Sequence, residues 1–113
     1  METVLLSHQL DKASDFVDED FIQHNPHTAD GVLSLLEALD ATSNGARVLQ
    51  FDRVHRVLAQ GNFVLTVNEG NYRDVHSAFY DLYRIAKGRI VEHWDTIEAV
   101  APPSEWKNNN GKF

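Results

Sequence analysis

The stretch Asp81-Leu82-Tyr83-Arg84-Ile85-Ala86-Lys87-Gly88-Arg89-Ile90-Val91-Glu92-His93-Trp94-Asp95 decides how this chain folds. Ala86-Lys87-Gly88-Arg89 carries a turn signal, and the apolar and β-branched residues on either side of it read as two paired strands. With the turn centred near Lys87, Asp81 is expected opposite His93, Phe79 opposite Asp95 and Tyr83 opposite Val91. Side chains alternate along a strand, so His93 and Asp95 share one face and Asp81 joins them from the neighbouring strand. Glu92 and Trp94 point the other way.

Working outward, the strand that enters the turn is expected to begin at Val75, and the strand that leaves it to end near Val100. Pro102-Pro103 closes the sheet, because proline cannot donate to a central ladder. Val48 to Leu58 and Phe63 to Val67 read as an earlier hairpin around Gln60-Gly61-Asn62. Glu69 to Arg73 looks like a polar, glycine-containing loop. The first half reads as helical. Leu6, Leu10, Ala13 and Val17 recur at helical spacing, and the acidic run Asp18-Glu19-Asp20 should end that helix. Phe21 to Pro26 should be extended, since Pro26 disfavours helix before it. A second helix should start after Thr28 or Asp30, either able to cap it, with Val32, Leu35, Leu36 and Leu39 as its apolar stripe. Ser43-Asn44-Gly45 supplies the stop. Helices first and hairpins afterwards make a segregated α+β domain. Its curved antiparallel sheet would pack on the N-terminal helices and enclose a pocket.

The length of 113 residues fits one domain over 1–113, with a polar, loose tail from about Ser104 to Phe113. No apolar run approaches the roughly 20 residues that span a bilayer, and Met1-Glu2-Thr3 is acidic where a secretory signal is basic. A cytoplasmic protein without membrane contact is the expectation. The absence of cysteine excludes disulfides, thiolate metal sites and cysteine nucleophiles. A net charge of −7, with scattered Lys and Arg, argues against nucleic acid as a partner.

Two readings of the Asp81, His93 and Asp95 patch compete. It is either the solvent face of a half-buried sheet or an acid–base centre in a pocket. Phe79, Tyr83 and Val91 flank it and suit an enclosed site. The segment Ile22-Gln23-His24-Asn25-Pro26-His27 is a second polar cluster. It is either a turn with surface imidazoles, or a place from which His24 donates to a ligand. A metal site can be drawn from His24, His27, His93 and carboxylates, but the spacing matches no metal motif, so none is expected. His8, His55 and His76 carry no pattern. No serine lies in a Gly-x-Ser-x-Gly setting, and no glycine-rich phosphate loop is present.

The segments Phe21-Ile22-Gln23-His24-Asn25-Pro26, Asp30-Gly31, Ala59-Gln60-Gly61-Asn62, Asp81-Leu82-Tyr83-Arg84 and Gly88-Arg89-Ile90-Val91-Glu92-His93-Trp94-Asp95 resemble the SnoaL-like polyketide cyclases. The Asn108 to Phe113 ending is similar too. This resemblance implies the cone of the nuclear transport factor 2-like (cystatin-like) proteins, often dimeric through sheet surfaces. It also implies an aldol condensation that closes a ring without metal, Schiff base or other cofactor. Asp95 maps to the general base and Asp81 to the polar group facing it. His24 and His93 would line the pocket and donate to the enolate oxygen, with Tyr83, Phe79 and Val91 beside them. The region before residue 21 is short for the family. Two close carboxylates also depart from its pattern, and one of them would then hold a proton.

The expected function is cofactor-independent acid–base chemistry on a small, apolar carbonyl compound, of the aldol-cyclisation or isomerisation kind, in a homodimer. A non-catalytic module that binds a small molecule or a partner on the same cone is the alternative.

Overall fold

The computed structural model describes residues 16–26, 28–43 and 46–113. The helical positions Leu6, Leu10 and Ala13, together with His8, His27, Asn44 and Gly45, lie outside them. The elements are β1 (Val17–Gln23), α1 (Val32–Asp40), β2 (Thr42–Ser43), β3 (Ala46–Arg47), β4 (Leu49–Gln60), β5 (Phe63–Tyr72), β6 (Val75–Ala86) and β7 (Arg89–Ala99). A single 3₁₀ turn follows at Pro103–Glu105. Among the described residues β2 and β3 pair with each other, and the main sheet runs β1-β7-β6-β5-β4.

Val17 was expected on a helix with Asp18-Glu19-Asp20 at its end, but these residues are strand. Val17 and Phe21 are buried while Glu19 and Asp20 are exposed, so the segment has an apolar inner side and an acidic outer one. β1 pairs parallel with β7, Ile22 beside Glu92 and Gln23 beside His93, so the sheet is mixed and not wholly antiparallel. His24 N–H extends that pairing to His93 O at 2.9 Å.

α1 follows as expected, but neither Thr28 nor Asp30 caps it. Asp30 Oδ1 instead accepts from Gln23 N–H at 2.8 Å, and Gly31 N–H donates to Phe21 O at 2.9 Å, both tying the connector to β1. Leu39 is buried and Leu35 and Leu36 pack with it, whereas Leu33 on the opposite side is exposed. The core is Val17, Phe21, Leu39, Phe51, Phe79, Tyr83 and Ile90, with the Phe51 and Phe79 rings 4.6 Å apart. It lies between α1 and one face of the sheet, called here the inner face. No described helix is long and apolar enough to cross a membrane.

The strand β5 does not stop at Val67. It runs through Glu69-Gly70-Asn71-Tyr72, the segment expected to be a loop. Gly70 belongs there because β4 comes so close: a Cβ on Gly70 would lie 1.9 Å from Gln50 O and 3.0 Å from Phe51 Cα. Asp52 and His55 have no partner in the β4–β5 register and are bulged residues, which bend and twist β4 across its neighbour. A missing side chain and two bulges thus curl the sheet over α1. The tail is also less loose than its composition suggests. Phe113 stacks on His55 at 4.3 Å and Lys112 pairs with Glu98 at 3.0 Å.

Candidate active site

The β6–β7 hairpin turns through Lys87 and Gly88, both at positive φ (53° and 77°), which favours this tight two-residue connection. Ala86 pairs with Arg89 and Ile85 with Ile90, but Arg84 then pairs with Glu92. Val91 is the extra residue of a bulge. Beyond it Tyr83 faces His93, Asp81 faces Asp95 and Phe79 faces Ile97. The expected partners were therefore displaced by two residues. An even displacement keeps the same side chains on the same face, so Asp81, His93 and Asp95 still converge.

They converge on a cavity of about 210 Å³ between α1 and the inner face. Val17, Phe21, Leu35, Leu39, Phe51, Phe79, Ile90 and Ile97 give it apolar walls; Asp81, Tyr83, His93, Asp95, Gln23 and Asn25 supply polar groups, and Thr28, Tyr72 and Arg73 add to them. The enclosed reading of the patch thus describes its surroundings better than the solvent-face reading.

Asp81 is 4% exposed and His93 9%. His93 Nε2 lies 2.8 Å from Asp81 Oδ1, and Asn68 Nδ2 donates to Asp81 Oδ2 at 2.8 Å. Burial raises the Asp81 carboxyl above the ordinary aspartate value; the His93 hydrogen bond and charge oppose this, and the Asp95 charge adds to it. Burial likewise raises the Tyr83 hydroxyl well above its usual value, reinforced by the charges of Asp81 and Asp95 and opposed by a hydrogen bond with the Thr66 side chain, so Tyr83 stays a phenol. Asp95 is half-buried, lines the cavity, and accepts from Asn25 Nδ2 at 3.0 Å.

Two expected pocket residues are elsewhere. His24 is on the outer face, stacked on Trp94 at 4.6 Å, with Nε2 donating to Glu92 at 2.7 Å. Alternation along an extended segment explains this: Phe21, Gln23 and Asn25 face in, so Ile22 and His24 face out. Arg84 Nε also donates to Glu92 at 2.7 Å, and the two hydrogen bonds, that from His24 first, hold the Glu92 carboxyl below its ordinary value. Val91 is taken out of the wall by its own bulge. His93 lines the cavity as expected, but both its nitrogens are engaged, Nδ1 lying 2.7 Å from Gln23 Oε1. It is a poor direct donor to a substrate oxygen.

Gln23 and Asn25 stood in the second polar cluster without a role of their own, and Asn68 was not singled out from the sequence. The same alternation from Phe21 through Asn25 marks the first two, and continuing the strand past Val67 would have marked Asn68, which is wholly buried. Asp81, His93 and Asp95 each offer a ligand atom within 4.8 Å of the others and could in principle hold a cation. The donor set fits weakly, because His93 Nε2 and Asp81 Oδ1 already satisfy each other.

The sequence matches the family model described as SnoaL-like polyketide cyclase over residues 1–103. No protein of curated function matches it. Among solved structures, an NTF2-like protein of unknown function from Burkholderia xenovorans is similar at a TM-score of 0.70 and 19% identity, covering 96% of this chain and 88% of that one. A Kribbella flavida protein named for ketosteroid isomerase gives 0.71 and 16%, covering 96% and 84%. A Bacillus cereus protein named for polyketide cyclases gives 0.65 and 17%, covering 84% and 67%. At these identities the structures speak for the fold, and the family model covers nearly the whole sequence: the chain belongs to the SnoaL-like polyketide cyclase family.

Proposed function

We propose that this protein is a cofactor-independent enzyme that forms and redirects an enolate on a small carbonyl compound, with Asp95 as the general base. The observation that carries this is the contrast between the two carboxylates. Both oxygens of Asp81 are held, by His93 and Asn68, whereas Asp95 accepts one described hydrogen bond and lines the cavity. A base must reach a C–H next to a carbonyl, and a carboxylate oxygen with no partner among the described residues, in a largely apolar cavity, can do so. The Tyr83 phenol, on the same wall, is the donor for the developing enolate oxygen, to which it would turn from its hydrogen bond with the Thr66 side chain. The apolar walls suit a substrate whose carbon skeleton is buried and whose carbonyl sits at the polar end. Ring closure by aldol condensation and double-bond isomerisation share this first proton transfer. The names of the Kribbella and Bacillus proteins point to these same two outcomes.

The test is deuterium uptake from heavy water at the α-carbon of cyclic β,γ-unsaturated ketones and aryl β-ketoesters, followed by mass spectrometry. Catalysed uptake that Asp95→Asn abolishes supports the reading; equal uptake by both proteins removes it. Ile22 and Phe63, exposed at 43% and 38% near the His24–Trp94 stack, support a homodimer joined through the outer face. Sedimentation velocity on the wild type and Phe63→Glu checks this.

A further inference from the structure

We propose that Gln23 is a positioning residue that fixes the tautomer of His93 and so holds one proton between His93 and Asp81. The Gln23 side chain is oriented by a backbone donor. The backbone N–H of Asn25 donates to the Gln23 side chain at 3.1 Å, and an N–H donor requires the amide oxygen there, not its nitrogen. That same Oε1 lies 2.7 Å from His93 Nδ1. Oxygen can only accept, so Nδ1 carries a hydrogen. The other ring nitrogen, Nε2, lies 2.8 Å from Asp81 Oδ1. In a neutral imidazole with Nδ1–H this nitrogen is a bare lone pair, and two lone pairs do not meet at that distance. One proton must lie between them, leaving either imidazolium with carboxylate or imidazole with carboxylic acid. In both forms the pair is electrically neutral.

The consequence falls on Asp95, directly opposite Asp81. With the Asp81–His93 pair neutral, no second net negative charge faces Asp95. Without Gln23, His93 can lose the Nδ1 hydrogen and keep Nε2–H toward Asp81. The pair then carries a full negative charge that faces Asp95. The titratable groups around His93 are Asp81 and Tyr83 on β6 and Asp95 on β7, with Arg73 lining the same cavity from the β5–β6 turn. The described part of α1 that lines it brings no titratable side chain, and β5 brings the Tyr72 phenol. Gln23 touches no reacting atom in this scheme and acts through His93. The tautomer itself does not depend on the enolate chemistry; only its kinetic consequence rests on that reading.

The experiment is two-bond ¹H–¹⁵N NMR of the His93 ring in the ligand-free wild type, Gln23→Leu and Gln23→Glu at neutral pH. Nδ1 is expected to be protonated in the wild type and in Gln23→Glu, which keeps the acceptor, and to show a lone-pair shift in Gln23→Leu. An Nδ1 lone pair in the wild type overturns the proposal, even if no variant folds. Nδ1–H retained in Gln23→Leu overturns it too. Where α-proton exchange is measurable, it should slow in Gln23→Leu, where the pair beside the base carries a net negative charge. Gln23→Glu brings its own charge and serves only the NMR comparison. Loss of exchange in every protein with the NMR pattern intact removes the enzymatic reading and leaves the tautomer assignment standing.

Discussion

Ile90 and His93 lie three residues apart on one strand and yet line the same cavity. In a regular strand that spacing puts two side chains on opposite faces. The bulge at Val91 removes the contradiction by adding one residue to β7 between the pairs Ile85–Ile90 and Arg84–Glu92. Ile90 therefore seals the core, while His93 and Asp95, past the bulge, turn inward beside Asp81.

The buried pair at this site should be strongly coupled. His93→Leu leaves Asp81, 4% exposed, without its partner, and should cost about 3–5 kcal/mol in urea unfolding. The double variant Asp81→Leu/His93→Leu should lose clearly less than the sum of the two single changes, because no orphaned charge remains. Simple additivity would mean that the two groups act independently.

Gly70→Ala should be among the most damaging substitutions in the chain. Its Cβ would fall 1.9 Å from the carbonyl oxygen of Gln50 and 2.9 Å from that carbonyl's carbon, and backbone cannot swing aside as a side-chain tip does. A loss of about 3 kcal/mol or more is expected, at the upper end of overpacking effects. Thermal unfolding measures it, and a wild-type Tm would mean that β4 is not pinned against β5 here.

Glu69 on the outer face accepts from His55 at 2.7 Å and His76 at 2.6 Å, and these bonds, that from His55 first, hold its carboxyl below the ordinary value of 4.5. A lowered folded-state value stabilises the fold above the ordinary value, and the contribution is lost as the pH falls through the lowered one. The wild type should therefore exceed Glu69→Gln in stability near neutrality, by no more than about 1 kcal/mol for so accessible a cluster. That margin should close as the pH drops below 4.5, as denaturant titrations at several pH values would reveal.

Chelation should change nothing. A proton shared by Asp81 and His93 already satisfies the atoms that a cation would need, so the Tm and any proton-exchange activity should survive dialysis against EDTA. A fall in either, restored by one divalent metal, would assign the cluster to that metal.

Asp95→Asn should keep the fold, since the amide retains an oxygen to accept from Asn25, while proton exchange falls by about 10²–10⁴-fold, the usual contribution of a general base. A Tm close to that of the wild type beside lost exchange is the pattern that separates a chemical role from a structural one.

The residue pattern alone determined the α1 helix with its apolar stripe, the three hairpins of the main sheet after it and the face shared by Asp81, His93 and Asp95. Period-two alternation and turn residues are local signals, written into a few consecutive positions. Motif segments spread from Phe21 to Asp95 determined the family in the same way. The tertiary structure decided what depends on distant partners. Val17 and the acidic residues after it became strand because β7 offers β1 a parallel edge, which outweighs a short run of helical spacing. Gly70, which looked like a loop residue, stays in a strand because another backbone passes where its side chain would be. His24 was set outside and Gln23 and Asn25 inside by where β1 docks. A bulge at Val91, which has no residue signature of its own, fixed which groups meet across the hairpin. Register and docking are properties of two segments at once, and no single stretch of sequence encodes them.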